Sequence, residues 1–128
     1  MPNHFHGLIY VSKKSPPLSK LIQNAKRFLA YDIVKLLKKD NEQNLLNLFA
    51  KKARKEKGSK YKVFEERYDS KIIDNEDLFY QKLNYIHNNP CKGKLCDLPE
   101  NYIYSSASNY ILGKGIYEIC KEVGGENL

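Results

Sequence analysis

The chain has 128 residues, with 22 Lys and Arg against 15 Asp and Glu and a formal net charge of +7. That length suits one domain spanning 1–128, and a hydrophobic share of 41% is ordinary for a globular chain. No stretch approaches the roughly 18 apolar residues of a membrane span, and the polar start Met1-Pro2-Asn3-His4 is unlike a signal peptide, so a cytoplasmic protein with no membrane partner is expected.

Phe5 to Val11 (FHGLIYV) is a short apolar, β-branched and aromatic run closed by Ser12 to Pro17, the pattern of a strand and a loop. From Leu18 the period becomes helical, through Leu21, Ile22, Ala25, Phe28, Leu29, Ile33, Leu36 and Leu37. Ser15 or the Pro16-Pro17 pair starts that helix and Lys38-Lys39 suit its end. Asp40-Asn41 marks a break, and Glu42 to about Lys55 reads as a second helix ended by Gly58-Ser59. Tyr61 to Phe64 and Lys71 to Ile73 predict two short strands around a polar turn. Asp74-Asn75-Glu76-Asp77 opens a third helix, which the proline rule stops before Pro90. Pro99 to Tyr102 forms a turn, Ser105 to Leu112 a short helix ending near Gly113, and Gly115 to Val123 is ambiguous. Helices packed on a small sheet make the expected class α+β.

The basic excess favours a polyanionic partner. Its densest run holds Lys51, Lys52, Arg54, Lys55, Lys57, Lys60 and Lys62, with Glu56 the only acid, and Lys26 and Arg27 lie on the first helix. The competing reading of that run is a solvated helix end. Cys91, Cys96 and Cys120 are odd in number and lack a CxxC pair, which suits reduced thiols rather than zinc.

His4-Phe5-His6 places two imidazoles at i and i+2, which on a strand share one face and send Phe5 into the core. Such a pair is half of a divalent-metal site, or simply two histidines at a strand start. Tyr85 and Asn89 are i and i+4 on the third helix, with Lys82 at i−3 on the same face. The apolar stripe Phe79, Leu83 and Ile86 is centred about a quarter turn away, putting Tyr85 at its rim, where a tyrosine is commonly no more than packing.

These segments resemble a known family. Met1-Pro2-Asn3-His4-Phe5-His6-Gly7-Leu8-Ile9 is similar to the MPNHxHLLI signature of the REP-associated tyrosine transposases, in the insertion-sequence 200-like group of HUH (histidine–hydrophobic–histidine) enzymes. Tyr85-Ile86-His87-Asn88-Asn89-Pro90 resembles that family's YIHxNPV signature, and Tyr102 to Ala107 with Tyr110 a third, YxYSSAxxY. Val63-Phe64-Glu65-Glu66 matches a segment that more often carries Trp where Phe64 stands. The motifs occur in family order and span nearly the whole chain.

The resemblance implies a ferredoxin-like antiparallel sheet and a Mg or Mn ion held by His4, His6 and Asn89. It also implies Tyr85 as nucleophile and single-stranded or hairpin DNA as substrate, with Tyr85 attacking a phosphodiester to leave a 5′-phosphotyrosine and a free 3′-hydroxyl. Lys82 is a candidate for activating the phenol or contacting the phosphate. Lys26, Arg27, Lys51, Lys52, Arg54, Lys55, Lys57 and Lys60 are candidate phosphate contacts, and some tyrosines suit base stacking. Family members carry a few dozen residues ahead of the MPNH signature. Either the reading frame starts upstream of Met1, or this is a shortened copy whose His4/His6 strand lacks neighbours and its first strands. Gly7, where Leu is usual, weakens that strand further. Two rival functions are a DNA-binding remnant without catalysis, and a phosphoesterase in which His4, His6 and Asp69 or Asp74 activate water. Nothing in the sequence fixes a monomer or a dimer.

Overall fold

The computed structural model describes residues 1–53 and 58–116. Its elements in chain order are α1 (Leu18–Lys39), α2 (Gln43–Lys52), α3 (Glu76–Lys92), a 3₁₀ turn (Pro99–Asn101) and α4 (Ala107–Leu112). Among the described residues there is no strand. The expected α+β, ferredoxin-like sheet is therefore corrected to an all-helical arrangement. A helix satisfies its backbone groups from its own sequence, whereas a strand needs a partner along its length. The run Phe5–Val11 and the segments at 61–64 and 71–73 find none. Phe5, expected in a core, is 85% exposed.

By contacts the chain falls into two compact units, Tyr10–Ser70 and Met1–Ile9 with Lys71–Leu128. In the Tyr10–Ser70 unit, α1 packs on α2. Pro17 is the N-cap of α1, its carbonyl accepting from Lys20 N and Leu21 N at 2.9 and 3.2 Å. The cationic Lys38-Lys39 turn closes the helix favourably for its dipole. Asn41, at φ 56°, makes the left-handed break into α2. α2 buries Leu46, and Phe49 O accepts from Lys62 N at 3.0 Å, holding the following segment against this helix. Lys26 fastens the same segment to α1, its ammonium donating to the carbonyls of Glu65, Glu66 and Arg67 at 2.8, 3.3 and 3.3 Å.

In the other unit, α3 begins where the acidic cluster predicted. Asn75 Oδ1 accepts from Leu78 N at 2.8 Å and Glu76 and Asp77 fill the first turn. The helix then passes through Pro90 to Lys92 rather than stopping before it. Pro90 lies in the last turn, so its missing N–H removes one bond, from the Ile86 carbonyl, and little helix remains to be broken beyond it. The end is a Schellman turn. Leu95 N donates to Pro90 O and Lys94 N to Cys91 O, each at 2.9 Å, with Lys94 left-handed at φ 55°.

Leu83, His87 and Pro90 are the buried residues of α3. At i, i+4 and i+7 they form one stripe, facing the Pro99–Asn101 turn, which in turn packs on α4. Ala107, fully buried at the start of α4, donates its N–H to Ser105 Oγ at 3.1 Å. Gly113 closes α4 in the left-handed region at φ 65°. At 100° per residue Tyr85 lies about half a turn from the Leu83–His87–Pro90 stripe. The expected rim position, a quarter turn from Phe79, Leu83 and Ile86, is thus replaced by the opposite face.

Candidate functional site

That opposite face of α3 carries Lys82, Tyr85, Asn89 and, at i+7 from Tyr85, Lys92. The N-terminal segment lies along it. A Cβ on Gly93 would stand 3.0 Å from Met1 Cε, so residue 1 sits at the end of α3. Five residues on, the His6 ring meets the Tyr85 ring edge-to-face, centroids 5.9 Å apart. The His4 ring packs on His6 at 4.9 Å, and Lys92 Nζ stands 5.4 Å from the Tyr85 ring centroid. The three residues singled out by the sequence, His4, His6 and Tyr85, are therefore neighbours although 79 to 81 positions separate the tyrosine from the histidines.

Tyr85 remains 49% exposed, so its face is open to a substrate. His6 is half-buried and its pKa is lowered from 6.5, first by desolvation, then by His4 and the N-terminal ammonium. A neutral imidazole beside a phenol can accept its proton. His4 is exposed, its Nδ1 2.6 Å from Asn3 Oδ1. Lys92 adds a cation that attracts the ring's π face and suits a phosphate next to it.

The metal expectation does not survive in the form stated. Among the described residues no group of three or more His, Cys, Asp or Glu side chains is placed to hold a metal ion. His4 and His6 offer two imidazoles; Asn89 is half-buried on the Tyr85 face, and its backbone carbonyl accepts from Gly93 N at 2.9 Å. The residues present do not fit a resident ion held by three strong ligands, for want of the strand that would fix two histidines on one face. Asp74 is exposed, its carboxylate accepting from Asn75 Nδ2 at 2.8 Å.

The expected phosphate contacts divide. Lys26 is occupied by three backbone carbonyls and lies 5.6 Å from the Tyr68 ring. Lys51 and Lys52 are exposed at the end of α2, while Arg54, Lys55 and Lys57 lie outside the described residues. Arg27 and Lys60 line a groove of about 810 Å³ between α1 and residues 58–63, together with Tyr31, Lys35, Lys38 and Tyr61. Among the described residues no carboxylate lines it. Lys38 and Lys60 stand 5.7 and 5.9 Å from the Tyr61 ring.

Two residues escaped the sequence reading. Lys92 was within reach of it, since i+7 returns a helix to the same face. His87 was read only as part of a motif. Its ring is 5% exposed, with Nε2 3.0 Å from Ser106 Oγ and the Tyr110 ring 5.3 Å away. It thus joins the second and third motifs as a packing unit, and its pKa is lowered by desolvation. No helix among the described residues is long and apolar enough to cross a membrane. The chain matches no family model, no curated protein and no solved structure.

Proposed function

We propose that this protein cleaves and rejoins single-stranded DNA through a covalent bond to Tyr85. The observation that carries the reading is the meeting of His6, Tyr85 and Lys92 on one open face of α3, with His4 behind His6. A phenol, with an ordinary pKa of about 10, attacks phosphorus poorly at neutral pH unless its proton is removed as it attacks. His6, kept neutral by partial burial, is the acceptor one ring away. Lys92, with Lys82 on the same face, neutralises charge on the phosphate. The phenolic oxygen bonds to phosphorus, the bond to the 3′ oxygen breaks, and that oxygen takes up a proton. The product is a 5′-phosphotyrosine with a free 3′-hydroxyl, and attack by another 3′-hydroxyl restores Tyr85 and joins two strands without an external energy source.

The test is a labelled single strand carrying a hairpin, incubated with the protein with and without Mg²⁺ or Mn²⁺ and run on a denaturing gel. A covalent protein–DNA band is expected, lost at least a hundredfold in Tyr85→Phe. An adduct of equal yield in the variant removes Tyr85 from the chemistry.

A second reading, binding without cleavage, draws on this groove of the Tyr10–Ser70 unit, whose described lining holds no carboxylate. Cations at Arg27, Lys35, Lys38 and Lys60 beside the exposed Tyr31 offer phosphate contacts and a stacking face. It predicts binding that is unchanged in Tyr85→Phe, with no covalent band under either metal.

A further inference from the structure

The Schellman turn that ends α3 brings together two side chains that strand cleavage does not use. Cys91 lies in the last turn of α3 and Cys96 five residues on, with Lys94 in the left-handed region between them. Their sulfur atoms are 3.6 Å apart in a hydrogen bond, and both thiols are free and half-buried. A disulfide needs its sulfurs at about 2 Å and its β carbons within about 4.5 Å. Two sulfurs already in contact lie on the approach to that geometry, beside the backbone bonds from Lys94 N to Cys91 O and from Leu95 N to Pro90 O.

We propose that Cys91 and Cys96 are a thiol modification site, closing reversibly to a disulfide that locks the C-terminal turn of α3. The co-reactant is a low-molecular-weight disulfide. The Cys91 thiolate attacks one of its sulfurs, forming a mixed disulfide and expelling one small thiolate. The Cys96 sulfur, giving up its proton, then attacks the Cys91 sulfur and expels the second. Two protein thiols are oxidised by two electrons, and one small disulfide is reduced to two thiols. The order of attack follows the surroundings. Burial, the bond to Cys91 and the nearby Asp97 and Glu100 hold the Cys96 thiol protonated, its pKa raised above the ordinary value. A protonated Cys96 suits the resolving step, which leaves the first attack to Cys91. Lys92, the cation over Tyr85, is next to Cys91 in the chain, so the lock acts on the turn that positions it.

The test treats the full chain and its Cys120→Ser form with oxidised glutathione, then reads intact mass, tryptic peptides and thermal midpoint. A loss of about 2 Da is expected, the mass of two hydrogens. Trypsin cleaves after Lys92 and Lys94 between the two cysteines, so a Cys91–Cys96 link appears as joined peptides that separate on reduction. The oxidised form melts a few degrees higher, because the link restricts the unfolded chain. Cys96→Ser in the Cys120→Ser chain instead stops at a single glutathione adduct. Two stable adducts on the Cys120→Ser chain, a disulfide-linked dimer, or an unchanged midpoint after closure overturns the proposal. None of these readouts depends on Tyr85 chemistry, so the site stands or falls apart from the strand-cleavage reading.

Discussion

His87 has given up its hydration for one serine hydroxyl and a tyrosine ring. Desolvation disfavours its imidazolium, so its folded pKa lies below the 6.5 of the unfolded chain. As pH falls the unfolded state takes up the proton first. The stability contributed by neutral His87 is therefore complete above about pH 6.5 and is lost as pH falls through the folded value. Urea denaturation at a series of pH values between 7.5 and 5 should show stability falling toward acid. His87→Asn should flatten most of that slope and leave the part due to His6, whose pKa is lowered as well. His6 gives strand cleavage its own acid limit, since the proton acceptor must be neutral. Single-turnover rates should rise with pH to a plateau, with a midpoint below the usual histidine value, and a midpoint above pH 7 would remove His6 as the base. At this scale the sequence exposed the participants better than their surroundings. Tyr85, His4 and His6 were legible as a motif, but their contact depends on where Met1–Ile9 lies along α3, and local spacing carries no record of that. The i+7 step that adds Lys92 was legible and was missed.

The helices were legible because their information is local: apolar positions repeat every three to four residues, and caps are single residues. Asn75, within the acidic cluster that opens α3, is the cap that accepts from Leu78 N. Asn75→Ala should cost about 1 kcal/mol, measured by chemical denaturation. The far end of α3 is less well matched. Glycine stands at 93, where φ is −79°, while the left-handed position is filled by Lys94 at φ 55°. A side chain there costs roughly 1 kcal/mol relative to glycine, so Lys94→Gly should stabilise by about that amount. An unchanged or lowered denaturation midpoint would show that the lysine earns its place through a contact. The strands were read from β-branched and aromatic composition, which records that a segment suits a sheet and not that a partner exists. Phe5–Val11 is the case in point, since the described residues supply no ladder for it. Pro90 misled in the opposite direction, because a rule about helix interiors has little force in a last turn.

For the molecule as a whole, a net charge of +7 matters less than its arrangement. Groove cations with no carboxylate among the described lining residues neutralise phosphates and release counterions. With Arg27, Lys35, Lys38 and Lys60 all engaged, log affinity for a short single strand should fall with log salt with a slope of about −3. Lys35→Ala or Lys38→Ala should lower that slope by about 0.7 each. Tyr31→Ala should weaken binding while leaving the slope alone, because a stacked base releases no counterion. Fluorescence anisotropy across a salt series separates these outcomes, and a slope near zero would take the groove out of nucleic-acid binding.

The hydrophobic side chains buried among the described residues are Leu46 in one unit and Leu83 and Ala107 in the other. Heat capacity rises on unfolding in proportion to the apolar surface newly given to water. Cores this thin release little, so the increment should fall below the roughly 12–15 cal/mol/K per residue of ordinary globular proteins. Calorimetry should accordingly record a broad, shallow endotherm whose enthalpy changes little with the melting temperature. A sharp transition with an ordinary increment would require apolar surface that these three side chains do not account for.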